Sequence, residues 1–139
     1  MQNDIKDFTE QLARVFGHAV EPSGPDRVVV IVNGRQRLEV VLGQEAATIT
    51  TPLAEAHDGL PDTLHRWLAS RNFPGGGLAG GMLVRPELSD RLSIVNTVPA
   101  RAMSMADLAS LTWNQAQAAM ELDDQIAARV AAELADAGA

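Results

Sequence analysis

An α+β fold in the order α-β-β-β-α-β-β-α follows from three observations in the sequence. Ile5, Phe8, Leu12, Val15 and Phe16 recur at helical spacing near one end, and Leu108, Leu111, Leu122, Ile126, Val130 and Leu134 do so at the other. Between them, RVVVIVNGRQRLEVVL sets Asn33-Gly34 between two β-branched runs, the strongest short-range signature of a hairpin. The stretch from Leu60 to Val84 then reads as a short amphipathic helix, a break and a glycine-rich crossing into a strand. At 139 residues the chain suits a single domain, spanning residues 1–139, large enough to bury a real core. The expected architecture is an antiparallel twisted sheet with helices packed on it.

Each element has a local cause. Asn3 or Asp4 can cap the first helix, Asp7 adds negative charge to its first turn, and Gly17 stands where a C-terminal glycine belongs. EPSGPD, residues 21–26, is a turn segment. In the first strand Val28, Val30 and Val32 share one face and Val29 and Ile31 the other, so both faces are apolar. Leu38, Val40 and Leu42 alternate with Arg37 and Glu39 in the second strand, and AATITT, residues 46–51, makes a third. Pro52 to Gly59 reads as a loop.

Leu60, Leu64, Trp67 and Leu68 give the middle helix an apolar stripe, Pro61 suits its first turn, and Asn72 with Pro74 stops it. Strands are expected over residues 79–84 and 91–98. Ser104 with Asp107 three residues on forms an approximate capping box, and nothing breaks the last helix from there to about Ala135. Such length predicts that part of it projects beyond the sheet or covers a partner.

The chemistry-bearing motifs are few. Gly75, Gly77 and Gly80 satisfy the letter of G-x-G-x-x-G, but a dinucleotide site needs a strand before the glycines and a helix after, and here the order is reversed. Met82 and Leu83 stand where a phosphate loop would need Lys and Ser or Thr. A flexible crossing with close backbone approach is the better reading. There is no cysteine, and His18, His57 and His65 lack metal-ligand spacing. His57 lies between Glu55 and Asp58, yet no nucleophile or oxyanion site accompanies it. Neither catalysis nor a cofactor nor a metal site is expected. A net charge of -7, with Lys6 the one lysine, argues against nucleic acid and anionic membrane surfaces. MQNDIKDF has no apolar leader core, and no apolar run is long enough to span a bilayer, so a cytoplasmic location is expected.

Several stretches resemble the class I type III secretion chaperones, the Tir chaperone-like family. LARVFG (12–17) looks like the end of that family's first helix, and VVIVNGRQRLEVVL (29–42) like its first hairpin. LPDTLHRWLASRNF (60–73) is similar to its second helix with the Asn-aromatic close, and Gly80-Gly81-Met82-Leu83 to the start of its fourth strand. Trp113 lies early in the last helix, where the family commonly has a late tryptophan. The resemblance implies a homodimer, not an enzyme, that binds an extended N-terminal segment of an effector and keeps it export-competent, with the secretion apparatus as a further partner. It implies a two-fold interface on the second helix and fourth strand, at Leu64, Trp67, Leu68, Met82 and Val84. The client surface expected here is the apolar side of the first helix (Phe8, Leu12, Val15, Phe16) with the first hairpin (Val28, Val30, Val32, Leu38, Val40). The alternatives are a regulatory or ligand-binding domain of the same fold outside secretion, or a small enzyme.

Overall fold

The computed structural model describes residues 2–32, 34, 36–72 and 76–137. Asn33 of the expected hairpin turn, and Phe73, Pro74 and Gly75 of the crossing, lie outside the described residues. The elements follow the expected order: α1 (Gln2–Phe16), β1 (Arg27–Val32), β2 (Gln36–Leu42), β3 (Ala46–His57), α2 (Asp62–Ala69), β4 (Met82–Val84), β5 (Arg91–Pro99) and α3 (Met105–Ala137). The strands form one antiparallel sheet in the order β1-β2-β3-β5-β4. The fold is α+β, as expected.

Both helix ends near the first turn region have simple causes. α1 closes on Gly17, whose φ of +76° is the left-handed conformation a helix terminus requires, with its N–H donating to the Ala13 carbonyl at 2.9 Å. Its start is one residue earlier than the caps proposed from sequence, so Asp4 sits inside the first turn. At α3 the Ser104 hydroxyl accepts from the Asp107 N–H at 3.1 Å, the capping contact expected from the spacing.

All three helices cover the same sheet face, and the core divides into two clusters along α3. In one, Ile5, Phe8 and Leu12 of α1 and Leu108, Ala109 and Ala116 of α3 pack on Val28, Val30, Val32, Leu38, Val40, Ala47 and Ile49. In the other, Leu60, Leu64 and Leu68 join Leu122 and Ile126 over Leu53, Ala56, Leu83 and Ile94. Ala109, Ala116 and Ala119, all without solvent exposure, let α3 lie close to the strands. Gln115, also fully buried, ties the two together: its Nε2 lies 3.1 Å from the Ile49 carbonyl, 3.0 Å from Thr51 Oγ1 and 2.9 Å from the Ile94 carbonyl. At 33 residues α3 is about 50 Å long. Its fully buried positions end at Ile126 and Leu134 is exposed, while Val130 packs on the second cluster and Glu133 accepts from the Thr63 hydroxyl, so its later turns run beside α2.

Two boundaries correct the sequence reading. β3 continues through Pro52 to His57 rather than ending at Thr51. Pro52, which cannot donate, follows the last β2 partner, Thr50, so it costs that pairing nothing. The register then shifts between Pro52 and His57, and the freed backbone finds a side chain. Asp123 on α3 accepts from the N–H groups of Ala54 and Glu55 at 3.1 and 3.0 Å. β4 begins at Met82 rather than Ala79, because Ala79 and Gly80 have φ of +54° and +86°. Gly81 just before it allows the expected close approach: a Cβ there would stand 2.9 Å from Ile94 Cγ2 and 3.0 Å from the Val95 carbonyl oxygen.

Candidate functional site

Because every helix lies on one side, the opposite face of the sheet carries no element among the described residues. The pleat decides what it shows. Opposite the buried Val28, Val30 and Val32, β1 presents Val29 and Ile31, and Ile31 is 60% exposed. The register carries a row across all five strands on this side: Val29, Glu39, Thr50, Val95 and Met82. Arg37 stands beside Ile31, and Val84 beside Ser93. Met82 and Val84 are 59% and 40% exposed. The face is therefore apolar at both ends with a polar middle, and the Arg27–Glu39 ion pair on it, at 3.7 Å, is surface-exposed.

The two edges differ. At β4 the Asn72 side chain imitates a neighbouring strand: its Oδ1 accepts from the Leu83 N–H at 2.6 Å, and its Nδ2 donates to the Leu83 carbonyl at 3.4 Å. That edge is closed by an amide. At β1 an isolated bridge joins Pro22 to Val28, and the Ser23 N–H donates to the Arg27 carbonyl at 2.8 Å. Beyond that bridge, nothing among the described residues pairs with the outer edge of β1, which is open at its Ile31 end.

The residues expected to meet a client divide sharply. Phe8, Leu12, Val28, Val30, Val32, Leu38 and Val40 are all buried in the chain's own core, at 5% exposure or less. They pack in one apolar cluster that α1, α3 and the sheet cover mutually, so it offers a partner no side-chain area. Val15 and Phe16 remain half-buried at the C-terminal end of α1. Phe16 meets Trp113 edge-to-face with ring centroids 5.1 Å apart, a contact between α1 and α3 that spacing alone did not reveal. A cavity of about 260 Å³ opens near the other end of α1, over Ile5, Leu42, Ala47 and Met105, with Asp4 and Asp26 in its lining.

Of the expected interface residues, Leu64 and Leu68 are buried against α3 and the sheet, whereas Met82 and Val84 are exposed. Trp67 is half-buried, with the Arg71 and Arg129 guanidinium carbons 4.6 and 4.1 Å from its ring centroid. It is a cation-bearing ring rather than an open apolar anchor. His57 donates its geometry to a turn, its Nδ1 accepting from the Gly59 N–H at 3.1 Å. Among the described residues no group of acids and histidines could hold a metal ion, and no helix is long and apolar enough to cross a membrane.

No protein-family model matches the sequence, and no curated protein matches it. Solved structures do share its fold. A chain of the ExsC–ExsE complex superposes with a TM-score of 0.68 at 13% identity, covering 91% of this chain and 96% of that one. A chain of the HopA1–SchA chaperone–effector complex gives 0.64 at 15% identity, over 86% and 92%. A chain of the heterodimeric ExoU–SpcU complex, from the type III secretion system of Pseudomonas aeruginosa, gives 0.61 at 15% identity, over 85% and 93%. Near-complete coverage in both directions, at so little identity, makes this a likeness of the whole fold: the chain has the α+β fold found in type III secretion chaperone–effector complexes.

Proposed function

We propose that this protein is a secretion chaperone of the class I type III kind, whose role is binding rather than catalysis. It would act in the cytoplasm, hold an extended N-terminal segment of an effector and keep that segment export-competent. The observation that carries the reading is an uncovered five-stranded face with one open edge, on a fold shared with chains of chaperone–effector complexes. An extended segment can add to the Ile31 end of β1 by main-chain hydrogen bonds, while its alternate side chains meet Val29 and Ile31. Val15 and Phe16 supply a second apolar contact at the end of α1.

The test is co-purification with N-terminal segments of effectors from the same genome. At least one segment should be retained, and Ile31→Asp should weaken it by about tenfold or more, equivalent to about 1.4 kcal/mol. Ile31 is exposed, so the variant should keep its circular dichroism spectrum and unfolding midpoint. A folded Ile31→Asp protein that binds like wild type would remove β1 from the site, and retention of no effector segment would remove the function.

Homodimer formation belongs to the same proposal. Leu64 and Leu68 are spent on the chain's own core, and the Asn72 amide closes the β4 edge to strand addition. The proposed two-fold patch is therefore the side-chain face of β4, centred on Met82 and Val84. Sedimentation should show a dimer at micromolar concentration for wild type and a monomer for Met82→Asp. A wild-type monomer, or a Met82→Asp dimer of unchanged affinity, contradicts this patch.

A further inference from the structure

Away from both surfaces, between α2 and the C-terminal part of α3, lies a cleft of about 450 Å³ lined by Trp67, Arg71, Gln125, Ala128, Arg129 and Ala132. Its two arginines differ from others in the chain. Arg27, Arg85 and Arg91 each have a carboxylate within 4 Å, whereas neither Arg71 nor Arg129 forms an ion pair among the described residues. Both guanidinium carbons lie over the Trp67 ring, within cation–π distance. Arg71 is held further, with Nη2 donating to Gln125 Oε1 at 3.2 Å and Nη1 to the Gly76 carbonyl at 3.5 Å. Its buried Nε has no hydrogen-bond partner among the described residues. A chain of net charge -7 thus brings together at one ring two arginines that form no ion pair among the described residues.

We propose that this cleft is a carboxylate-binding site that docks a short acidic segment of a partner protein. Planar guanidinium donors match carboxylate oxygens, and two neighbouring arginines suit two neighbouring acidic side chains. The surroundings decide against longer polyanions. Glu133, its Oε1 engaged by the Thr63 hydroxyl at 2.6 Å, stands one helical turn from Arg129, and Glu121 lines the adjoining cavity beside Arg71. Two cations bracketed by these carboxylates accept one or two charges and repel a phosphate backbone. The site goes beyond the chaperone reading and stands without it, since it uses none of β1, β4 or the uncovered sheet face.

The experiment uses the full chain and a short fluorescein-labelled peptide with two adjacent glutamates in a glycine–serine background. Anisotropy should rise saturably in the micromolar range at low salt. The matching glutamine peptide should bind about tenfold more weakly or worse. Arg129→Gln, at an exposed position, should lose about tenfold in affinity and keep the fold, and Arg71→Gln should lose as much. Arg101→Gln, an exposed arginine elsewhere with the same change in net charge, should bind like wild type. Equal binding of the two peptides, unchanged binding by Arg129→Gln, or no binding up to millimolar peptide overturns the proposal. So does tighter binding of an RNA oligonucleotide, or competition by equimolar inorganic phosphate, either of which would make the cleft a phosphate site.

Discussion

Leu12→Asp is expected to leave no folded protein. Leu12 has no solvent exposure and packs in the cluster where α1 and α3 meet β1, β2 and β3. A carboxylate there would be stripped of water among apolar side chains, a cost of several kcal/mol. It would also forfeit about 2–3 kcal/mol of apolar burial. Set against a total stability of about 5–15 kcal/mol for a domain, the sum is enough to unfold the chain. Circular dichroism should lose the helical signal, and urea titration should show no cooperative transition. Ile31→Asp makes the same chemical change on the far side of the sheet and should cost no more than about 0.5 kcal/mol. A Leu12→Asp protein with a wild-type unfolding curve would mean that α1 does not seat on the sheet.

Asp123→Ala is expected to destabilise by about 2–4 kcal/mol, because two backbone donors lose their acceptor at once. The carboxylate is 5% exposed and reaches from α3 to the irregular part of β3, so water cannot readily replace it. Asp123→Asn keeps one acceptor oxygen but turns an NH2 group toward the other N–H, and should fall between alanine and wild type. Urea unfolding gives the free energies. Hydrogen exchange at Ala54 and Glu55 gives the location: both amides should lose protection in Asp123→Ala, while those of β1 and β2 change only through global stability. Unchanged exchange at these two amides would contradict the clamp.

The element order was legible in the sequence, because apolar spacing and Asn33-Gly34 act over a few residues. The faces of β1 were not. Val28, Val30 and Val32 are chemically indistinguishable from Val29 and Ile31, and only the packing of α1 and α3 separates core from surface. Phe8 and Leu12 were readable as part of an apolar stripe, yet their burial against β1 and β2 depends on the tertiary fold. Pro52 reads as a strand breaker in isolation, and the reason it is not one lies in where the pairing of β2 with β3 stops, at Thr50. The clamp on Ala54 and Glu55 comes from Asp123, 69 and 68 residues away, a pairing no local pattern encodes. Trp67 was readable as a large partly apolar side chain on α2. That Arg129, 62 positions later, would lie over it was not, and this changes the ring from a hydrophobic anchor into a holder of charge.

The division of the core along α3 has a consequence for how the protein is made. Leu108, Ala109 and Ala116 close one half, and Ala119, Leu122 and Ile126 close the other, so both halves depend on a segment synthesised after all five strands. Translation proceeds at about 5–20 residues per second, and until α3 follows, the nascent sheet has α1 and α2 but no lid along its middle. Gln115 and Asp123 arrive with that segment, carrying the polar contacts that position it on β3 and β5. Until Ile126 joins them, Leu53 of β3 and Ile94 of β5 lack the cover that α3 supplies. Truncation within α3 should therefore yield aggregated rather than merely shortened protein.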